Sequence, residues 1–189
     1  MLDDELCSGL LYGAARELAA ASVPDDILEG MRLGRMVALR KPDGRVRGLV
    51  MSDVFRRIVA RTMAQQLADD LDEACFPHQY ALSTRAGTEA VARAMLLATE
   101  ADPLATVVSI DGIGAYDFVA QQRFFDGLQR KPGLAAATPF VKQFYGQPST
   151  YLWYDQSGAC HEVLQAEGGE QGDPLMPGLF ALAVHPVLL

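Results

Sequence analysis

The segment that most constrains the fold is residues 36–51, MVALRKPDGRVRGLVM. Two short apolar runs, 36–40 and 46–51, flank Lys41-Pro42-Asp43-Gly44. Proline presets a turn's first central φ, aspartate bonds its own backbone, and glycine accepts positive φ, so this tetrapeptide reverses the chain. The spacing predicts a β-hairpin with basic residues at its tip. A second hairpin is predicted at 149–165, STYLWYD-QSGA-CHEVLQ. Helices are predicted at 8–22, with Pro24 as a stop, and at 54–73, capped by Ser52 or Asp53. In the second of these the apolar positions are Val54, Ile58, Val59, Met63 and Leu67. Further helices are predicted at 87–100, 119–130 and 138–145. A buried helix begins in LMPGLFALAVHPVLL, with Pro177 in its first turn and Pro186 breaking or kinking it near its end. Residues 104–110, LATVVSI, form a continuous β-branched apolar run that predicts a buried strand ending at Asp111. The mixture gives an α+β fold class.

The 189 residues suffice for one large domain or two small lobes, and half of them are apolar, enough to bury a core. No apolar run reaches the roughly 20 residues that span a bilayer. The N-terminus, MLDDELCSGL, is acidic where a secretory signal is basic. A soluble intracellular protein with no membrane partner is expected. Cys7, Cys75 and Cys160 are odd in number and far apart, so three reduced thiols are expected rather than zinc or disulfides. His78, His161 and His185 stand alone and read as ordinary core or surface residues. The chain stops at Leu189 inside an apolar segment with no polar cap, which reads as a truncation.

The net charge of −8 argues against a nucleic-acid partner until its distribution is seen. Between Met31 and Arg61 lie Arg32, Arg35, Arg40, Lys41, Arg45, Arg47, Arg56, Arg57 and Arg61, against only Asp43 and Asp53. That is a local balance of +7 in an acidic chain, a field that attracts phosphates. Within it, Arg56, Arg57 and Arg61 read as solvated charges on a helix face.

Residues 110–118, IDGIGAYDF, pose a choice between a glycine phosphate loop and an aimed carboxylate. Gly112 and Gly114 have the spacing of G-x-G-x-x-G, but the third glycine position is Asp117, where a carboxylate would repel a pyrophosphate. A strand ending in Asp111 would instead present a hard oxygen ligand to a divalent ion. Taken alone, Asp111 is as well explained by an Asp-Gly turn, and Asp117 reads as the N-cap of a helix starting near Phe118. Downstream, EGGEQGDPLMPGLF carries glycines around Gln171, a loop whose backbone can approach a ligand closely.

Taken in order, these motifs resemble a known family. Asp111-Gly-Ile-Gly-Ala115-Tyr116-Asp117 is similar to D-x-x-x-A-[FY]-D, and Gln171-Gly172-Asp173-Pro174-Leu175-Met176-Pro177 to Q-G-x-P-L-x-P. A basic K-P-D-G-x-x-R hairpin, Lys41 to Arg47, precedes them, and QYALSTRAGTEAV at 79–91 looks like the segment between fingers and palm. Over about residues 30–189 the chain resembles the reverse transcriptase domain of non-LTR (LINE-type) retrotransposons. The resemblance implies a partial right-hand polymerase fold: an N-terminal helical segment (1–30), a fingers-like region (31–103) and an incomplete palm (104–189).

It also implies RNA-directed DNA polymerase chemistry on an RNA template and DNA primer, with deoxynucleoside triphosphates and two Mg²⁺ ions. Asp111 then resembles the catalytic metal-binding aspartate, with the Gly112 carbonyl as a further ligand. Lys41, Arg47, Gly114, Ala115, Tyr116, Gln171 and Gly172 fall at nucleotide-binding positions. Among these, Tyr116 resembles the gate against a ribose 2′-hydroxyl, Gln171 and Gly172 the lining of the sugar, and Lys41 and Arg47 the triphosphate cations. The chain departs from the family at Gly48, where proline is usual, and at Met176, where serine is usual. It also ends before the aromatic-x-Asp-Asp motif, and one carboxylate cannot hold two ions ~4 Å apart. A non-catalytic retroelement remnant with at most weak nucleic-acid or nucleotide binding is the alternative.

Overall fold

The computed structural model describes residues 4–82 and 84–189. Among these the fold is α+β, with ten helices and one four-stranded mixed sheet. The chain begins with α1 (Asp4–Ala19) and α2 (Asp25–Arg32), then β1 (Gly34–Arg40) and β2 (Val46–Met51). Four helices follow: α3 (Val54–Gln66), α4 (Ala68–Cys75), α5 (Gly87–Ala101) and the single turn α6 (Ala115–Phe118). After α7 (Gln121–Leu128), α8 (Pro132–Ala135) and α9 (Thr138–Tyr145) come β3 (Ser149–Tyr154), β4 (Cys160–Gln165) and α10 (Met176–Leu188).

Both predicted hairpins form. Arg40 pairs with Val46 across the first, where Gly44 takes φ +84° and the Lys41 N–H donates to the Arg45 carbonyl at 2.7 Å. Asp43 accepts from the Arg45 backbone N–H at 3.0 Å and from its Nε at 2.8 Å. In the second hairpin Asp155 accepts from the Ser157 and Ala159 N–H groups, and Gly158 takes φ +84°. The sheet order is β2-β1-β3-β4: β1 runs parallel to β3, with Gly34 opposite Tyr151 and Met36 opposite Trp153. One sheet therefore joins strands from the predicted fingers-like and palm regions. Val50 and Tyr151 share one face of it, where both are buried and meet at Gly34.

The core is largely helical. Phe124 and Leu128 of α7, Phe140 and Phe144 of α9, and Met176, Leu179 and Leu182 of α10 are fully buried and form one cluster with Leu18 and Val59. The helix predicted at 54–73 is split at Leu67, whose φ/ψ of −91°/0° leaves α4 to start afresh. Pro186 lies inside α10, which continues to Leu188.

Three sequence expectations are corrected. Residues 104–110 form no strand: Leu104, Val108 and Ile110 are 90%, 73% and 90% exposed. β-propensity reflects packing on neighbouring strands, and none of the described strands lies beside this run. Asp117 is not an N-cap; it lies within α6, whose N-cap position is Gly114 at φ +60°. Arg56 is not solvated but buried, while Val54 and Ile58 are exposed. The inward face of α3 runs through Arg56, Val59, Ala60 and Met63, one step round from the predicted stripe.

Close approach of α7 to α10 depends on Gly127, where an added Cβ would sit 2.7 Å from the Leu182 Cβ. Gly127→Val should lower stability by about 1–3 kcal/mol through overpacking, seen as a depressed melting temperature; an unchanged melt would contradict this helix crossing.

Candidate functional site

The site is built around one buried cation. Asp53 caps α3 by accepting the Arg56 backbone N–H at 2.8 Å, which fixes the first turn and sends the Arg56 side chain inward. Its guanidinium meets two carboxylates: Nη1 donates to Glu170 Oε1 at 3.0 Å and Nη2 to Asp173 Oδ2 at 3.2 Å. All three side chains are at most 3% exposed. The guanidinium also stacks 4.0 Å from the centroid of the Phe144 ring. Burial works against its charge, but Glu170 and Asp173 outweigh that and hold its pKa above the ordinary arginine value.

Glu170 and Asp173 are the ends of a β-turn, closed by the Asp173 N–H donating to the Glu170 carbonyl at 3.2 Å. Gln171 and Gly172 are its central pair. Gly172 takes φ +133°, where an L side chain is strained. Tyr145 OH donates to Asp173 Oδ2 at 2.7 Å, and Tyr151 OH donates to Glu170 Oε1 at 3.1 Å. Asp173 Oδ1 accepts the Leu175 N–H at 2.8 Å, leading directly into α10.

A second seam joins this loop to the segment around Tyr116. The Gly169 N–H donates to the Tyr116 carbonyl at 2.7 Å and the Gly168 N–H to the Val119 carbonyl at 3.0 Å. Gln121 returns the contact, Nε2 donating to the Gly168 carbonyl and its N–H to Glu167 Oε2, both at 3.0 Å. Gln171 Nε2 lies 3.4 Å from each carboxylate oxygen of Asp117. The half-buried Tyr116 ring packs 5.1 Å from Phe180 of α10, and burial raises its phenol pKa.

The structure thus brings Tyr116 to Gly169 and Gln171 beside Asp117, while Gly114 and Ala115 open the α6 turn before the seam and Gly172 lies against the Val50 carbonyl. Asp111 and Gly112 lie on the exposed stretch before α6. Asp111 is within electrostatic reach of the hairpin tip: the Arg45 pKa is raised chiefly by its hydrogen bond to Asp43, and to a smaller degree by Asp111. Lys41 stands at that tip, whereas Arg47 projects from the sheet face opposite Tyr151. Among the described residues no group of three or more His, Cys, Asp or Glu is placed to hold a metal ion. A cavity of about 570 Å³ opens elsewhere, between Leu33, Arg35, Met51, Val54, Leu152 and Tyr154.

The basic region divides. Arg56 is buried, Arg45 pairs with Asp43, and Arg32 Nε donates to the Gln143 carbonyl at 2.6 Å. Arg35, Arg40, Arg47, Arg57 and Arg61 remain exposed, with Lys41 half-buried. Sequence reasoning missed Arg56, Glu170, Asp173, Tyr145 and Tyr151 as one network. The available signal was spacing: Arg56 stands at i relative to Val59, Ala60 and Met63, the stripe that faces the core.

Burial, reinforced by the carboxylates of Asp173 and Glu170, raises the pKa values of the Tyr145 and Tyr151 phenols. A folded-state pKa above the unfolded value, near 10, supplies stability that is complete below about pH 10 and lost above it. Absorbance at 295 nm should show two tyrosines ionising only together with alkaline unfolding, and Tyr145→Phe should remove one of them. No protein-family model matches this chain, and no curated protein matches it.

Proposed function

We propose that this chain is the fingers and partial palm of a reverse transcriptase of the non-LTR type, binding a deoxynucleoside triphosphate and an RNA template paired to a DNA primer. The observation that supports this best is the seam between residues 116–121 and 167–171. It brings together two segments about fifty residues apart that the sequence resemblance assigns to a single nucleotide pocket. In this proposal Tyr116 excludes the ribose 2′-hydroxyl, Gln171 and Gly172 line the sugar, and Lys41 and Arg47 meet the triphosphate. The exposed arginines of 35–61 supply the salt-dependent attraction to phosphates. Asp111 and the Gly112 carbonyl would hold a Mg²⁺ ion, which would supply positive charge against the nucleotide's phosphates. Two-ion nucleotidyl transfer needs ions about 4 Å apart, and among the described residues no group of three or more His, Cys, Asp or Glu is placed to hold a metal ion.

That same observation favours a second proposal, a non-catalytic remnant with at most weak nucleotide or nucleic-acid binding. Calorimetric titration with dATP and ATP in Mg²⁺ separates the two. The first predicts that dATP binds more tightly, by on the order of tenfold to a hundredfold, and that Tyr116→Ala erases the difference. It also predicts that Asp111→Ala removes the dependence on Mg²⁺. The second predicts equal, weak binding that neither substitution changes. Primer extension on an RNA template should give no product with these 189 residues; incorporation that disappears in Asp111→Ala would show a complete polymerase centre.

A further inference from the structure

The two ends of the Gln171–Gly172 turn are tied together by one side chain, beside the separate hydrogen bonds that Tyr151 makes to Glu170 and that Tyr145 and the Leu175 N–H make to Asp173. These end residues, Glu170 and Asp173, are bound by the two arms of the Arg56 guanidinium, at 3.0 Å and 3.2 Å. The central pair has little other anchorage: Gln171 reaches Asp117 only at 3.4 Å, and Gly172 sits at φ +133°. Without the guanidinium, Glu170 and Asp173 would be two buried carboxylates close together, and their repulsion would open the turn. A planar fork fixes two oxygens at once, whereas a lysine ammonium is a point charge that fixes neither orientation.

We infer that Arg56 is the positioning residue of this turn: its two-armed contact sets the Gln171 amide beside Asp117, and so sets how tightly the turn grips a nucleotide sugar. The ligand class rests on the function proposed above; the positioning does not. Arg56 touches no ligand itself. It acts through the backbone of residues 170–173, and through α3 it couples that backbone to the basic hairpin, which leads into α3 by way of Ser52 and Asp53.

Two variants test this, with amide hydrogen exchange at Asp173 and calorimetric dATP affinity as readouts. Arg56→Lys keeps the charge and loses the fork. Arg56→Met/Glu170→Met/Asp173→Asn, as one triple variant, removes all three charges at similar volume and should melt near the parent, because well-packed neutral side chains replace buried ion pairs without loss. In both, exchange of the backbone amide at position 173 should accelerate about tenfold or more and dATP affinity should fall about tenfold, a change of one hydrogen bond's order. The Gly168 and Gly169 amides, held by the Val119 and Tyr116 carbonyls, should keep their protection. Parent-like protection of the position-173 amide in the triple variant would overturn the inference and leave Arg56 a structural ion pair only. If Arg56→Lys does not fold, the triple variant decides. If the parent binds no dATP, the nucleotide proposal fails, while the exchange measurement still judges the positioning.

Discussion

One guanidinium kept away from water joins the loop before α10 to the helical core. A lone charge in a protein interior is costly, and the Arg56 environment offsets that cost with two carboxylates, two tyrosine hydroxyls bonded to them and an aromatic face. The partners come from different parts of the chain: α3, α9, β3 and the loop entering α10. Each must be in place for the others to be satisfied, so the network fixes how the hairpin, the helical core and the loop meet. Glu170 and Asp173 flank Gln171 and Gly172, which ties this buried network to the shape of the candidate site.

How much of this was legible follows from the range of each interaction. The hairpins at 36–51 and 149–165 were legible because turn chemistry is local: Pro42-Asp43-Gly44 and Asp155 with Gly158 act within a few residues. The Asp53 cap was legible for the same reason. The parallel join of β1 to β3 was not, since nothing in either hairpin specifies a partner more than a hundred residues away. The 104–110 run misled because β-branched composition states a preference that only a neighbouring strand can satisfy, and Val107, Val108 and Ile110 remain in solvent. Arg56 misled because charged side chains are almost always exposed, so its helical spacing with Val59 and Met63 counted for less than its chemistry.

The candidate site was legible as two motifs that the family resemblance put in one pocket, but the contacts that join them were not. Sequence order put Tyr116 and Gln171 far apart; the hydrogen bonds from Gly168 and Gly169 to Val119 and Tyr116 bring them together. Those glycines had looked like freedom for a ligand to approach. In the structure the backbone of Gly168 packs so closely on the Tyr116–Asp117 peptides that a side chain has no room. The charged patch was likewise read as a single field. Three of its arginines serve internal contacts, and the rest spread over the hairpin and the outer side of α3.

The central claim is that Arg56 is a buried two-armed anchor and not a surface charge. Nitrogen-15 NMR of the arginine side chains tests it directly. A guanidinium held by Glu170 and Asp173 should give separate, slowly exchanging Nη–H resonances for Arg56, distinct from the averaged signals of Arg57 and Arg61. An Arg56 signal averaged and exchanging as fast as those of its exposed neighbours would contradict the account.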